Sequence, residues 1–485
     1  MRIAKIEIKD FRAFPGPGTY IFDLDGGKNL LIYGENGSGK SSLFHALVEF
    51  FNLNPTARPF SDYKNIFSDS GLIDGHVTVH FDDGQPPSVW PFGGTRSTSE
   101  PRVAETALRK GCLDYRALLR TNFVHSQGKV NLFELVVEDL LSNYPVLSGG
   151  RATTIGRLWQ QVVTRKPANH RGRNVQYAQT ACNTFNQAVA PAWPNLFEKA
   201  KELLATFPGC GVDLSFEFPG VDYDTVRREL IQKELNLEVS LNGRQIPEHQ
   251  HFLNEARLSA IALSLYFAGL LISIPSPVPD APAYPKLLVL DDVLVGLDMA
   301  NRMPVLDILQ QRFTDWQIIL LTYDKVWYEI VRMQTESAQD WRYHEMYLGI
   351  SPDGYEVPVH RGHGEGWPDL LKQASKHLAD NDERAAAVYA RAAFEGKLQR
   401  YCEKNAVPVR YHSDPRRIDA QSFWDAVKKR LQDEGKIATY RSIISQIETF
   451  RKIVLNPLSH ATPTTVTRAE IQGAIAAVDA LKFDP

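Results

Sequence analysis

Gly34, Gly39, Lys40 and Ser41 stand at the spacing G-x-x-x-x-G-K-[ST]. An apolar run, Asn29 to Tyr33, precedes them, and a helical pattern continues through Ala46, Leu47, Phe50 and Phe51. That combination implies a cradle for a polyphosphate. Glycines in the segment Gly34, Asn36, Gly37, Ser38 and Gly39 let backbone N–H groups converge on phosphate oxygens with no Cβ in the way. The helix that follows, opening with Lys40, Ser41 and Ser42, adds the positive end of its dipole. Lys40 can reach the β- and γ-phosphates as a point charge, and the Ser41 hydroxyl is placed to hold Mg²⁺. The spacing therefore predicts ATP or GTP binding.

Three other places carry compatible chemistry. The run Leu287-Leu288-Val289-Leu290 ends in Asp291 and Asp292. Beside a phosphate loop, Asp291 would hold Mg²⁺ directly or through water, and Asp292 would polarise the attacking water; alone, two such acids are caps at a strand end. Gln127, in Asn122 to Val130, sits where an apolar strand gives way to a polar turn, a position for ligating Mg²⁺, for orienting water, or for a plain turn. Arg12, after the first strand, can reach a nucleotide or remain a solvated turn residue.

These groups need strands and helices to hold them. Ile3, Ile6 and Ile8 alternate as in a strand and not as in a signal peptide, and Gly18 to Leu24 and Gly75 to Phe81 read likewise. Asp82 to Arg102 reads as a loop, Leu108 to Leu119 as a helix, and Leu132 to Leu141 as another. Arg151 to Phe207 is mainly helical, interrupted by Thr164 to Arg173, the densest positive cluster, which could meet DNA or RNA phosphates or simply be a solvated linker. Val212 to Phe218 and Leu235 to Leu241 are strand-like. Asn254 is a good N-cap for a helix with an almost uninterrupted apolar body, Leu258 to Ile274, too short for a membrane span and expected to be buried. Lys286 to Leu290 and Trp316 to Leu321 are continuous apolar strands, the signature of a parallel sheet covered on both faces.

Composition sets the frame. A chain of 485 residues exceeds one hydrophobic core. With 43% hydrophobic and 23% charged residues it is ordinary globular material, and a net charge of −3 gives no overall pull toward nucleic acid. Cys112, Cys182, Cys210 and Cys402 are far apart, which points to reduced thiols in a cytoplasmic protein, with neither a disulfide framework nor a zinc site.

In order, these motifs resemble the ATP-binding-cassette heads of the SMC, RecF and related ATPases over roughly residues 1 to 350. The phosphate loop stands at Walker A, Phe123 to Val130 at the Q-loop, Leu253-Asn254-Glu255-Ala256-Arg257 at the signature, Leu287 to Asp292 at Walker B, Gly296-Leu297-Asp298 at the D-loop and Thr322-Tyr323-Asp324 at the switch. Asp10-Phe11-Arg12-Ala13-Phe14 is also similar to the opening of these heads. The resemblance implies a P-loop α/β fold, catalytic roles for Asp292, Gln127 and Tyr323, Mg²⁺ on Ser41, Gln127 and Asp291, and ATP sandwiched between two heads. The signature residues Asn254, Glu255, Ala256 and Arg257 would then act in trans. Two glycines usual in the signature are missing, an aspartate replaces the usual catalytic glutamate, and a tyrosine replaces the usual histidine. Those departures imply slow hydrolysis with ATP as a gate. No long heptad run lies between Gln127 and Leu253, so the chain is no SMC rod.

The expected organisation is an α/β head over 1–359 with a mainly helical insertion at about 131–210, a Gly- and His-rich linker over 360–368, and an all-α bundle over 369–485. A zinc site on His360 and His363 is the sharp alternative reading of that linker. The bundle is similar to HEPN domains, some of which cleave RNA with an arginine and a histidine; Arg451, Asn456 and His460 are the residues in question, although Pro457 breaks the helix between them. Three functions follow: an ATP-gated dimerising ATPase acting as a DNA-linked sensor or regulator in phage defence or repair; an ATP-switched HEPN-like RNase; or a nucleotide-bound scaffold for a partner nuclease encoded nearby.

Overall fold

The computed structural model describes residues 1–54, 57–69, 71, 73–116, 129–164, 172–274, 284–351, 353–362, 367–409, 420–455 and 467–481. The chain divides into two compact units, Met1–His360 and Arg361–Pro485.

At the centre of the first unit is a six-stranded sheet in the order Glu356–Gly362, Trp341–Ile350, Asn29–Gly34, Gln317–Thr322, Leu287–Asp291, Lys110–Asp114. The last five run parallel to one another. Alternation assigns their side chains to two cores. Leu31, Leu288, Leu290, Ile318 and Leu320 join the core that contains the helix Glu255–Ser273 and the insertion, while Leu30, Ile32, Leu287, Val289, Ile319 and Leu321 join the core formed with the helix Lys40–Phe50 and the N-terminal strands. Burial on both faces is why these strands read as unbroken apolar runs.

A four-stranded antiparallel sheet, in the order Tyr20–Asp23, Ile3–Lys9, His76–Phe81, Ser88–Pro91, covers the second of those cores. Gln317 joins the sheets. Its Nε2 donates to Ile3 O at 2.7 Å and Lys28 O at 2.9 Å, and its Oε1 accepts from Ile3 N at 2.7 Å.

Several expectations need correction. The helix expected from Leu108 is interrupted: a helix Pro101–Leu108 ends there, Lys110–Asp114 is the sheet's edge strand, and residues 117–119 lie outside the described residues. Lys and Gly are poor strand formers, but Gly111 is demanded by packing, since a Cβ there would lie 2.4 Å from Leu270 Cδ1. The supposed loop Asp82–Arg102 contains the strand Ser88–Pro91. Within Leu132–Leu141 the turn Leu135–Leu140 is π-helical. The strand Glu356–Gly362 runs into the residues read as a linker, and His360 Nε2 meets His344 Nδ1 at 2.6 Å beneath Phe22; His363 lies outside the described residues.

In the second unit the described elements are helices: Trp367–Ala379, Glu383–Lys404, Ala420–Asp433, Arg441–Phe450 continued by the π-helical Arg451–Leu455, and Arg468–Ala480. They share a core that includes Phe394, Leu398, Trp424, Ile447 and Ile471. A capping box of Thr467 and Glu470 starts the last helix. Buried Lys397 donates to the carbonyls of Val478 and Asp479 at its end and lies 3.9 Å from the Trp367 ring centroid.

Candidate nucleotide site

The strand Asn29–Gly34 ends at the loop 35–39, and the helix Lys40–Phe50 starts directly after it. Gly39 takes φ +99° at the N-cap, a conformation that disfavours a side chain, and no side chain caps the first turn. The first amides of this helix are therefore available to an anion. Gly34 is equally constrained, since a Cβ there would lie 2.5 Å from Ser38 Oγ and 2.9 Å from Lys40 Cγ.

Buried Lys40 is folded back over the loop. Its Nζ donates to Gly34 O at 2.7 Å and Glu35 O at 3.2 Å, and stands 3.7 Å from Asp292 Oδ2. Register explains the meeting. Asp291 lies level with Leu321 on one neighbour and Asp114 on the other, and Thr322 lies level with Tyr33, so the carboxyl ends of these strands share one edge with the phosphate loop.

Burial raises the Asp291 carboxyl to about 6; the charges of Asp292 and Asp114 add to the rise, and the Ser41 hydroxyl, hydrogen-bonded to it, and Lys40 oppose it. Burial also raises Asp292, against Lys40 and the Tyr323 N–H. Asp291 Oδ1 and Ser38 Oγ are buried and meet no hydrogen-bond partner. A carboxylate with an unpaired buried oxygen beside a serine hydroxyl is the donor chemistry of a hard divalent cation, so these residues fit Mg²⁺.

Asp292 has φ +52°, and its Oδ1 accepts from Tyr323 N at 2.8 Å. The tie between these residues is through the Tyr323 backbone; the Tyr323 side chain is 41% exposed. Asp298 caps the helix Met299–Arg312, accepting from Asn301 N at 3.0 Å. Arg302, on that helix, donates to Leu297 O at 2.8 Å and to Asp324 Oδ2 at 2.5 Å, linking the Gly296–Asp298 turn to the end of the strand Gln317–Thr322. Sequence reading missed Arg302 and Asp114. The pattern Lys110 to Asp114, a short strand ending in an acid like Leu287 to Asp291, was the available signal for the latter.

Asn254 caps the helix Glu255–Ser273 by accepting from Arg257 N at 3.0 Å, with Glu255 and Ala256 in the first turn, and Arg257 Nε donates to Cys210 O at 3.1 Å. Among the described contacts, none joins these four residues to the phosphate loop. Gly296 packs on this helix, where a Cβ would lie 3.0 Å from Ser259 Oγ.

Arg12, at φ +49°, lines a cleft of about 730 Å³ together with Gly37 and Ser42. Gln127, Asn456 and His460 lie outside the described residues. Arg451 donates to Gln421 Oε1 at 2.7 Å and lies 5.7 Å from the Phe394 ring centroid.

Residues 5–82 match the family model described as an AAA domain. No curated protein matches the chain. Among solved structures, the SmcHead bound to the C-winged helix domain of ScpA is similar at 17% identity and TM-score 0.43, covering 75% of this chain and 99% of that one. The Smc head domain with an extended coiled coil, bound to the C-terminal domain of ScpA derived from Pyrococcus furiosus, gives 14%, 0.41, 78% and 99% in the same order. The SMC head domain from Thermotoga maritima gives 15%, 0.35, 75% and 100%. The segment that matches the AAA-domain model includes the phosphate loop, which lies against the carboxyl edge of the parallel sheet.

Proposed function

We propose that this chain is a Mg²⁺-dependent ATPase of the SMC/RecF-like head type, which pairs around ATP and hydrolyses it slowly. The observation that supports this best is the meeting of Lys40, Ser41, Asp291 and Asp292 at one point. Lys40 holds the β- and γ-phosphates there. Asp291 and Ser41 would hold Mg²⁺, which when bound would supply charge neutralisation for the phosphates. Asp292 orients water. One Asp292 oxygen is bonded to the Tyr323 amide and the other faces Lys40, which fixes the carboxylate beside the phosphate loop. Asn254 to Arg257 act on the nucleotide held by a second copy. The work of such a switch, as a DNA-linked sensor or regulator in phage defence or DNA repair, rests on the resemblance of its motifs.

Calorimetry with Mg-ATP tests the reading. Lys40→Ala abolishes binding at millimolar ATP while the fold, followed by circular dichroism, is unchanged. Binding that survives in a folded Lys40→Ala chain rules it out. Asp292→Asn keeps binding and lowers phosphate release by about 100-fold; unaltered function with this variant would favour a scaffold.

A further inference from the structure

The cleft that opens beside Gly37 and Ser42 has two lips. One is the segment from Arg58 to Phe67; the other is the hairpin joining Trp341–Ile350 to Glu356–Gly362, represented by Leu348, Tyr355 and Pro358. The lips touch through Phe67 and Tyr355, whose rings stack with centroids 4.8 Å apart and an interplanar angle of 10°. Phe67 remains 51% exposed. An aromatic pair kept at the mouth of a cleft, with so much ring facing water, offers a flat apolar surface to a ligand.

Both rings are held from behind. Asn65 Oδ1 accepts from the amides of Phe67 at 2.8 Å and Ser68 at 3.1 Å, and its Nδ2 donates to Arg12 O. Ser351 and Tyr355 exchange bonds, Ser351 N to Tyr355 O at 2.9 Å and Tyr355 N to Ser351 Oγ at 3.3 Å. The hairpin is seated on the phosphate loop itself, since a Cβ on Gly39 would lie 3.0 Å from Pro358 Cγ and one on Gly37 would lie 3.8 Å from Leu348 Cδ1. The cleft therefore opens directly beside the phosphate loop. Its walls mix the cations Arg12, Arg58 and Lys64 with the acids Asp62 and Glu356, so charge alone does not select what enters.

We propose that Phe67 and Tyr355 form the base-binding surface of the nucleotide site: the purine of the bound nucleoside triphosphate stacks on this pair, with the phosphates in the Gly34–Ser42 cradle. This rests on the nucleotide reading above. Stacking is the contact that the pair itself offers, and the amide of Asn65 is committed to the backbone.

The test compares Mg-ATP with Mg-tripolyphosphate, which carries the phosphates and no base, by calorimetry on the full chain. Phe67→Ala and Tyr355→Ala each weaken ATP about tenfold, the loss typical of one base stack. Tripolyphosphate binding stays unchanged, and Tyr355→Phe and Phe67→Tyr bind ATP as the parent does. ATP affinity unmoved by both alanine variants overturns the proposal, as does an equal loss for the two ligands, which marks the pair as a staple between lips. A parent chain that binds tripolyphosphate as tightly as ATP removes the base surface and leaves the phosphate loop standing; one that binds neither removes both.

Discussion

Asp291 is the residue at the site whose charge burial opposes most clearly. Its carboxyl ionises near 6 in the folded chain against 3.8 for the free group, because burial disfavours the anion. The unfolded chain therefore gives up this proton first. The stability that the protonated form preserves is complete below about 3.8 and is lost as pH rises through 6, by up to about 3 kcal/mol. Asp291→Asn should raise the urea midpoint of the ligand-free protein at pH 8 and leave it nearly unmoved near pH 4; equal shifts at both values would show that titration is not the cause. The pairing of Lys40 with the two acids was legible because each half is a short local pattern, a glycine loop and an apolar run ending in carboxylates. Phe67 and Tyr355 were not, since each is an ordinary loop aromatic until the fold lays one on the other.

Elements explain the remaining gaps. The strand Lys110–Asp114 breaks local preference with Lys and Gly, and only the pressure of Leu270 on Gly111 makes sense of it. No periodicity could report a contact with a helix so distant in sequence. Gln317 is a similar case: at 1% exposure, it spends its whole amide joining two sheets. Gln317→Ala strands the amide and carbonyl of Ile3 and should cost about 2 kcal/mol in chemical denaturation. A loss below about 0.5 kcal/mol would mean that the apolar contacts alone hold the sheets together. His360 adds a limit in acid. Burial lowers it to about 4 from 6.5, so the stability that its neutral form provides is present above 6.5 and is lost as pH falls through 4. The unfolding midpoint should fall between those values, and His360→Phe should flatten that fall.

For the whole molecule, pairing around ATP predicts a mass that depends on nucleotide. Light scattering of the Asp292→Asn chain should give about twice the monomer mass with Mg-ATP and the monomer mass without it. Replacing Asn254 by Arg should abolish the doubling without weakening ATP binding to a single head; doubling that persists would exclude the helix Glu255–Ser273 from the contact. The two compact units were legible as a change from mixed strands and helices to helices alone. Their border was less so, because the hairpin extends into residues whose glycines and histidines look like spacer. That hairpin serves twice: its turn is a wall of the cleft, and its returning strand, Glu356–Gly362, is the backbone from which the chain passes to the helix starting at Trp367. A side chain added at Gly39 would press on Pro358 of that returning strand, so the phosphate loop and the wall of the cleft cannot be reshaped independently.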